Sequence, residues 1–145
     1  SNAFYSKKVR AWLAGDDTLE PKLEKALRHQ YLFAQAWFKH HGITHLTLYR
    51  GVKYLIPPDV NIGGDVNLQT HEISSWTIDP GVSAGFGDQA AVATIPVEQI
   101  FMCPITAPTL GGDASPPPFR ENEFVVMGGK EKNIPSKVAF RMPSY

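Results

Sequence analysis

His40-His41-Gly42-Ile43-Thr44-His45-Leu46-Thr47-Leu48-Tyr49-Arg50-Gly51-Val52 contains the point at which the chain changes its hydrophobic period. Before it, Leu19, Leu23, Ala26, Leu27, Tyr31, Ala34, Trp37, Phe38 and His41 recur at spacings of three and four, which is one face of a helix. After it, Leu46 and Leu48 alternate with Thr47 and Tyr49, the two-residue period of a strand. Gly42 is the natural C′ residue between the two, because a helix commonly closes on a left-handed residue without a Cβ. Lys39, His40 and His41 crowd the last turn, where the helix dipole favours cations.

Outward from that switch, the N-terminal side reads as helix and the C-terminal side as strand. Residues 4–14 form a short amphipathic stretch with Tyr5, Val9, Trp12 and Leu13 on one side. Gly15 to Thr18 breaks it. Asp17 or Thr18 is placed to cap the second helix, with Pro21 in its first turn. Beyond Val52, a short strand is expected over 53–56, a loop over 57–67 around Gly63-Gly64, and a strand over 70–77. Asp79 caps a short helix that starts at Pro80 and runs to Phe86. Strands follow over 90–96, 99–102, 123–127 and 137–142, with a Pro- and Gly-rich loop over 107–119. The expected fold is α+β: a mixed or antiparallel sheet with N-terminal helices packed against it. Residues 1–3, Ser-Asn-Ala, read as the scar of a cleaved tag. Residues 4–145 are expected to form one domain, helical over 4–42 and β-rich over 43–145. A chain that opens at Phe4 without an initiator methionine is expected to be a fragment of a longer protein.

Composition narrows the function. The 145 residues hold 14 Lys plus Arg and 14 Asp plus Glu, so the formal net charge is zero. Binding to a nucleic-acid backbone wants an excess of Lys and Arg, so no nucleic-acid partner is expected. The single cysteine, Cys103, excludes an internal disulfide and a thiolate-rich zinc site, and reads as a buried inert thiol. No apolar run approaches the roughly 20 residues that span a bilayer, so no membrane helix is expected. His40, His41 and His45 cluster in sequence, but the first two are adjacent and read as pointing apart. They lack the i, i+4 spacing of a ligand pair, and no metal is expected.

Three pieces carry chemistry. Arg50 ends an apolar strand and precedes Gly51. A guanidinium there can grip a phosphate with paired hydrogen bonds, and the glycine admits close backbone approach. Taken alone, it reads as a strand-end arginine in solvent. Glu72-Ile73-Ser74-Ser75-Trp76-Thr77 is a hydroxyl-rich strand in which Trp76 offers a flat stacking surface. Arg120-Glu121-Asn122-Glu123 puts two carboxylates two residues apart. In a strand they project to one side, about 7 Å from each other. Such a pair repels itself unless it serves a cation or a reacting bond. Flanking a sugar C–N bond, it can stabilise an oxocarbenium-like transition state, as carboxylate pairs do in glycoside hydrolysis.

The order Arg50, then Ser75-x-Thr77, then Glu121-x-Glu123 resembles the arginine–serine–glutamate class of mono-ADP-ribosyltransferases, the class of bacterial binary-toxin and exoenzyme transferases. The resemblance runs from His45 to the C-terminus. It extends to Tyr49 before the arginine, to Val82 and Phe86 after the serine motif, and to the stretch from Val92 through Pro96-Val97 to Met102. The family's motif is usually Ser-Thr-Ser; here Ser75-Trp76-Thr77 stands in its place. Ser75 is chosen over Ser74 because the spacing from Thr77 to Val82 and Phe86 then fits.

The resemblance implies NAD⁺ as substrate, a fold of the ADP-ribosyltransferase type and no metal. It implies that Arg50 binds the NAD⁺ phosphates, that the Gly51 backbone bonds the nicotinamide amide, and that Ser75 orients Glu123. Glu123 would bond the ribose 2′-OH and stabilise charge at the anomeric carbon. Tyr49, Trp76, Thr77 and Phe86 would border the dinucleotide. Glu121 would face an acceptor arginine of a target protein, and Phe119 would contact that target. The resemblance further implies a monomeric bacterial toxin or effector domain, secreted or delivered into a target-cell cytoplasm, with a cognate immunity protein as a partner. NAD⁺ glycohydrolysis at the same site, and a non-catalytic interaction module on the same scaffold, are the competing readings.

Overall fold

In the computed structural model, residues 2–15, 18–53, 55–70, 72–103, 123–128 and 133–141 are described. Helix α1 spans Asn2–Leu13 and α2 spans Pro21–His40. Strand β1 follows at His45–Val52, then β2 at Asp65–Gln69 and β3 at Ile73–Thr77. The short α3, Pro80–Ser83, continues into a 3₁₀ turn over Ala84–Phe86. Next come β4 at Gln89–Pro96, a 3₁₀ turn at Val97–Gln99 and β5 at Ile100–Met102. The last two strands are β6, Glu123–Met127, and β7, Asn133–Arg141. The seven strands form one sheet in the order β2-β7-β4-β1-β3-β6-β5, with every pair antiparallel. The architecture is α+β, as the period change requires.

The switch at Gly42 closes α2 with a Schellman motif. Gly42 takes φ +66°, its N–H donates to the Lys39 carbonyl and the Ile43 N–H donates to the Phe38 carbonyl. Phe38 is fully buried and Ile43 packs on the same core, so the end of the helix is pinned by hydrophobic contact as well. On α2 the buried residues Leu27, Gln30, Ala34 and Phe38 follow the expected spacing. The start differs from expectation. Glu20 is the N-cap, without a side-chain hydrogen bond, and Pro21 opens the helix. Polar groups then fix α2 to the sheet. Gln35 Nε2 donates to the carbonyls of Val97 and Ile100, and the Tyr31 hydroxyl donates to that of Glu98. Burial, and then the Glu98 charge, raise the Tyr31 phenol above its ordinary pKa.

Alternate residues of β3 and β6 serve two cores. Trp76, Phe124 and Val126 join Leu48, Val52, Ala91, Ile95 and Val138 in the larger one. Ile73 and Val125 join Val9, Leu19, Leu27, Phe101 and Met102 in the smaller one, beneath α1 and α2. Trp12 meets Phe101 edge to face at 6.1 Å between ring centres, and the Arg28 guanidinium lies over Trp12. Cys103 is buried, as expected.

The sequence-based elements need three corrections. Residues 53–56 contain no strand among those described. Gln89 holds the loop there through both Ile56 backbone groups, and Arg141 donates to the carbonyls of Pro57 and Pro58. β2 occupies 65–69, partly inside the expected loop. β7 starts at Asn133, not 137. Pro135 is tolerated because it pairs only with β2, and β4 joins β7 from Lys137 onward. α1 begins at Asn2 and so includes Asn2 and Ala3.

Gly87 links α3 to β1. A Cβ placed on it would lie 2.1 Å from the Val52 carbonyl oxygen and 2.7 Å from the Val52 nitrogen. Gly85, two residues earlier, faces open space. Gly87→Ala is therefore expected to cost about 3 kcal/mol, by overpacking against backbone that cannot rotate away. Gly85→Ala is expected to change stability by less than about 0.5 kcal/mol. Urea denaturation of the two variants checks the contrast.

Candidate functional site

The strands that carry the sequence motifs, β1, β3 and β6, lie side by side. Tyr49 pairs with Thr77, and Thr77 pairs with Glu123. Residues directly opposed in antiparallel strands project to the same side, so these three share a face. Ser75, two residues from Thr77, belongs to that face too. It is exposed and opposite Val125, which makes Glu123 its diagonal neighbour. Diagonal neighbours lie about 7 Å apart, within reach of a glutamate side chain. No hydrogen bond joins the Ser75 hydroxyl to Glu123 among the described residues.

Arg50 works at a seam in the sheet. β1 and β3 share one registered pair, Tyr49 with Thr77. Continued register would set Gly51 opposite Ser75, but the strands part there. Arg50 Nη1 donates to the Ser75 carbonyl at 2.7 Å instead, so a guanidinium satisfies an acceptor that the ladder leaves open. Arg50 Nε is buried and has no hydrogen-bond partner among the described residues. The ion pairs Arg28–Glu24 and Lys137–Asp65 lie elsewhere, and no described carboxylate is paired with Arg50. Burial, and then the charge of Arg10 on α1, pull the Arg50 pKa below its ordinary value. A guanidinium still stays protonated in proteins. The result is a partly desolvated, permanent cation with one bonded nitrogen and one orphaned one, a state that an anion relieves.

The turn after β3 fixes the other border. The Thr77 hydroxyl accepts from the Asp79 N–H, and the Asp79 carboxylate accepts from the Gly81 N–H at 2.8 Å, the expected N-cap. Ser83 is fully buried and donates to the Pro80 carbonyl. Through Gly87 this segment rests on Val52, two residues past Arg50.

The two serines divide as the sequence register requires. Ser74 is buried and its hydroxyl accepts from Trp76 Nε1 at 2.8 Å, while Ser75 lies on the face of Glu123. Trp76 is a correction. It is 2% exposed, packed in the larger core, and presents no stacking surface. It has the opposite parity to Ser75 and Thr77, so alternation sends its ring to the core. Thr77 is also buried, with its hydroxyl engaged by the turn. Tyr49 and Gly51 are half-buried, and Gly51 pairs with Ala90 on the side away from β3. Phe86 closes the 3₁₀ turn. Phe119 and Glu121 lie outside the described residues. Arg10 is the addition from structure, since nothing in the sequence separates it from the other cations of α1.

Among the described residues, no group of three or more His, Cys, Asp or Glu side chains could hold a metal ion. His40 and His41 do not point apart; their rings meet edge to face at 5.0 Å, and His41 also stacks near Trp37. No helix among the described residues is long and apolar enough to cross a membrane. Set against models of known protein families, curated protein sequences and solved structures, the chain matches none.

The serine division has a measurable consequence. Ser74→Ala leaves the buried Trp76 N–H without a partner and is expected to lower stability by about 1–3 kcal/mol. Ser75→Ala, at an exposed position, is expected to stay within about 0.5 kcal/mol of the parent. Equilibrium denaturation followed by tryptophan fluorescence checks both.

Proposed function

We propose that this chain is an NAD-dependent mono-ADP-ribosyltransferase of the arginine–serine–glutamate class, with a sheet of the ADP-ribosyltransferase type. More particularly, we propose a bacterial toxin or effector domain that modifies arginine side chains of a target protein. One observation carries the reading: the described residues of three short motifs, far apart in sequence, lie on adjacent strands, with Arg50 touching the backbone of Ser75 and with Ser75 and Glu123 on one face.

In this reading Arg50 uses its orphaned Nε and free nitrogen to bind the diphosphate of NAD⁺. The Gly51 backbone bonds the nicotinamide amide. Glu123 accepts a hydrogen bond from the ribose 2′-OH and stabilises positive charge as the C1′–N bond breaks and nicotinamide leaves with the electron pair. Ser75 steadies Glu123 once the dinucleotide draws the carboxylate inward. Glu121 binds the acceptor guanidinium and takes its proton as nitrogen bonds to C1′. Phe119 supplies an aromatic contact to the target. Trp76 contributes from below, by stiffening the strand that presents Ser75.

Glu123→Gln is expected to lower ADP-ribose transfer from labelled NAD⁺ by at least about a hundredfold, with the fold intact by circular dichroism. Full retained transfer would overturn the mechanism. Glu121→Gln is expected to lose transfer to arginine while keeping nicotinamide release. Equal loss of both would remove Glu121 from the acceptor side.

A further inference from the structure

Helix α2 has two unlike faces. Leu27, Gln30, Ala34 and Phe38 are buried on one. A helix advances about 100° per residue, so Lys22, Lys25, Leu32, Phe33, Ala36 and Lys39 fall on the other, within roughly a third of the turn. All six are exposed. Leu32 and Phe33 keep 60% and 54% of their surface in water, while the polar Gln30 is buried. An exposed apolar pair rimmed by charge marks a contact surface, which a single exposed residue does not. The three lysines flank that pair from both ends over about 25 Å of helix. Among the described residues none of the three has an ion-pair partner. Glu24, the one acidic residue of α2, is taken by Arg28 at 2.9 Å. Charge is also lopsided across the chain. α1 and α2 contain Lys7, Lys8, Arg10, Lys22, Lys25, Arg28 and Lys39 against Glu24 alone. The whole chain has 14 Lys plus Arg and 14 Asp plus Glu, so the remainder is net acidic. An anionic surface therefore attracts the helices and repels the rest, which orients the molecule.

The phosphates of a nucleic acid would engage the lysines but leave Leu32 and Phe33 in water. A second copy brings the same cations and repels them. Protein interfaces deplete Lys and favour Tyr, Trp and Arg at their centres, whereas this face sets three lysines around Leu32 and Phe33. A bilayer of net negative charge takes both parts. Leu and Phe enter the boundary between headgroups and acyl chains, and lysine stems lie along it with their ammonium groups at the phosphates. We propose that the outer face of α2 docks peripherally on an anionic phospholipid surface, inserted through Leu32 and Phe33 and held by Lys22, Lys25 and Lys39. α2 lies flat in this arrangement, because its other face stays packed on the two cores through Leu27, Ala34 and Phe38. The proposal goes beyond the transferase reading and does not rest on it.

The test is flotation of the whole chain, without NAD⁺, on vesicles of phosphatidylcholine alone and of an equimolar mixture with phosphatidylserine. The parent is expected to bind the mixed vesicles saturably, to ignore phosphatidylcholine alone, and to come off in high salt as surface charge is screened. Leu32→Ser/Phe33→Ser is expected to weaken binding about tenfold or more, by loss of inserted apolar surface. Lys25→Gln/Lys39→Gln is expected to weaken it about as much, by loss of two attractions to the lipid charge. Lys53→Gln/Lys137→Gln removes equal charge from outside the helices and is expected to match the parent. So is Ile62→Ser, which removes an exposed apolar side chain from a loop. All these positions are exposed, and circular dichroism checks that each variant keeps the parent's helices. No binding by the parent would overturn the proposal, as would equal binding to both vesicles or parent-like binding by either α2 variant. Equal loss in Lys53→Gln/Lys137→Gln would also overturn it, by assigning the effect to total charge. Self-association of the parent that Leu32→Ser/Phe33→Ser abolishes, without vesicle binding, would give the face to a second copy and overturn it too.

Discussion

The hydrogen bond from Arg50 Nη1 to the Ser75 carbonyl joins two strands that have stopped pairing. β1 sits at the centre of the sheet, fully registered with β4 on one side and with β3 at one pair on the other. Where ladder bonds end, backbone groups need other partners or water. The guanidinium supplies one partner and in doing so is drawn out of solvent. Its remaining buried nitrogen is left unsatisfied as a result. The seam and the charge in it are consequences of one arrangement.

The surroundings keep that arrangement in place. Gly87 lets the chain after α3 press directly on Val52, which fixes the far end of β1. Trp76 and Phe124 are paired across β3 and β6 and anchor both in the larger core, so Ser75 and Glu123 are presented from strands with little freedom. The smaller core holds α1 and α2 over the same face. Under the proposed reading, rigid strands position the sugar chemistry.

Much of this was legible in the sequence because the signals were local. Gly42, Asp79-Pro80 and the period change each act through neighbours within a turn or two, and the bounds of β6 at Glu123–Met127 follow from an apolar run that opens on Glu123 and stops before Gly128-Gly129. β2 was obscured by its setting. Val66 and Leu68 do alternate with Asp65, Asn67 and Gln69, but the preceding Pro57-Pro58 and Gly63-Gly64 outweigh so short a pattern. Trp76 was misread from residue type, though parity with Ser75 and Thr77 already sends its ring to the other face. The seam between β1 and β3 has no local signature, since it arises from how two strands distant in sequence are aligned. Arg10 was hidden for the same reason.

The central claim is that the Arg50–Ser75 seam, with Glu123 beside it, is an NAD⁺ site. Titration of NAD⁺ into the parent and into Arg50→Lys tests it most directly, because lysine keeps the charge but lacks the fork that can hold the Ser75 carbonyl and a phosphate together. The account predicts saturable binding by the parent and a loss of about tenfold or more in the variant. No binding by the parent, or the same affinity in both, would contradict it.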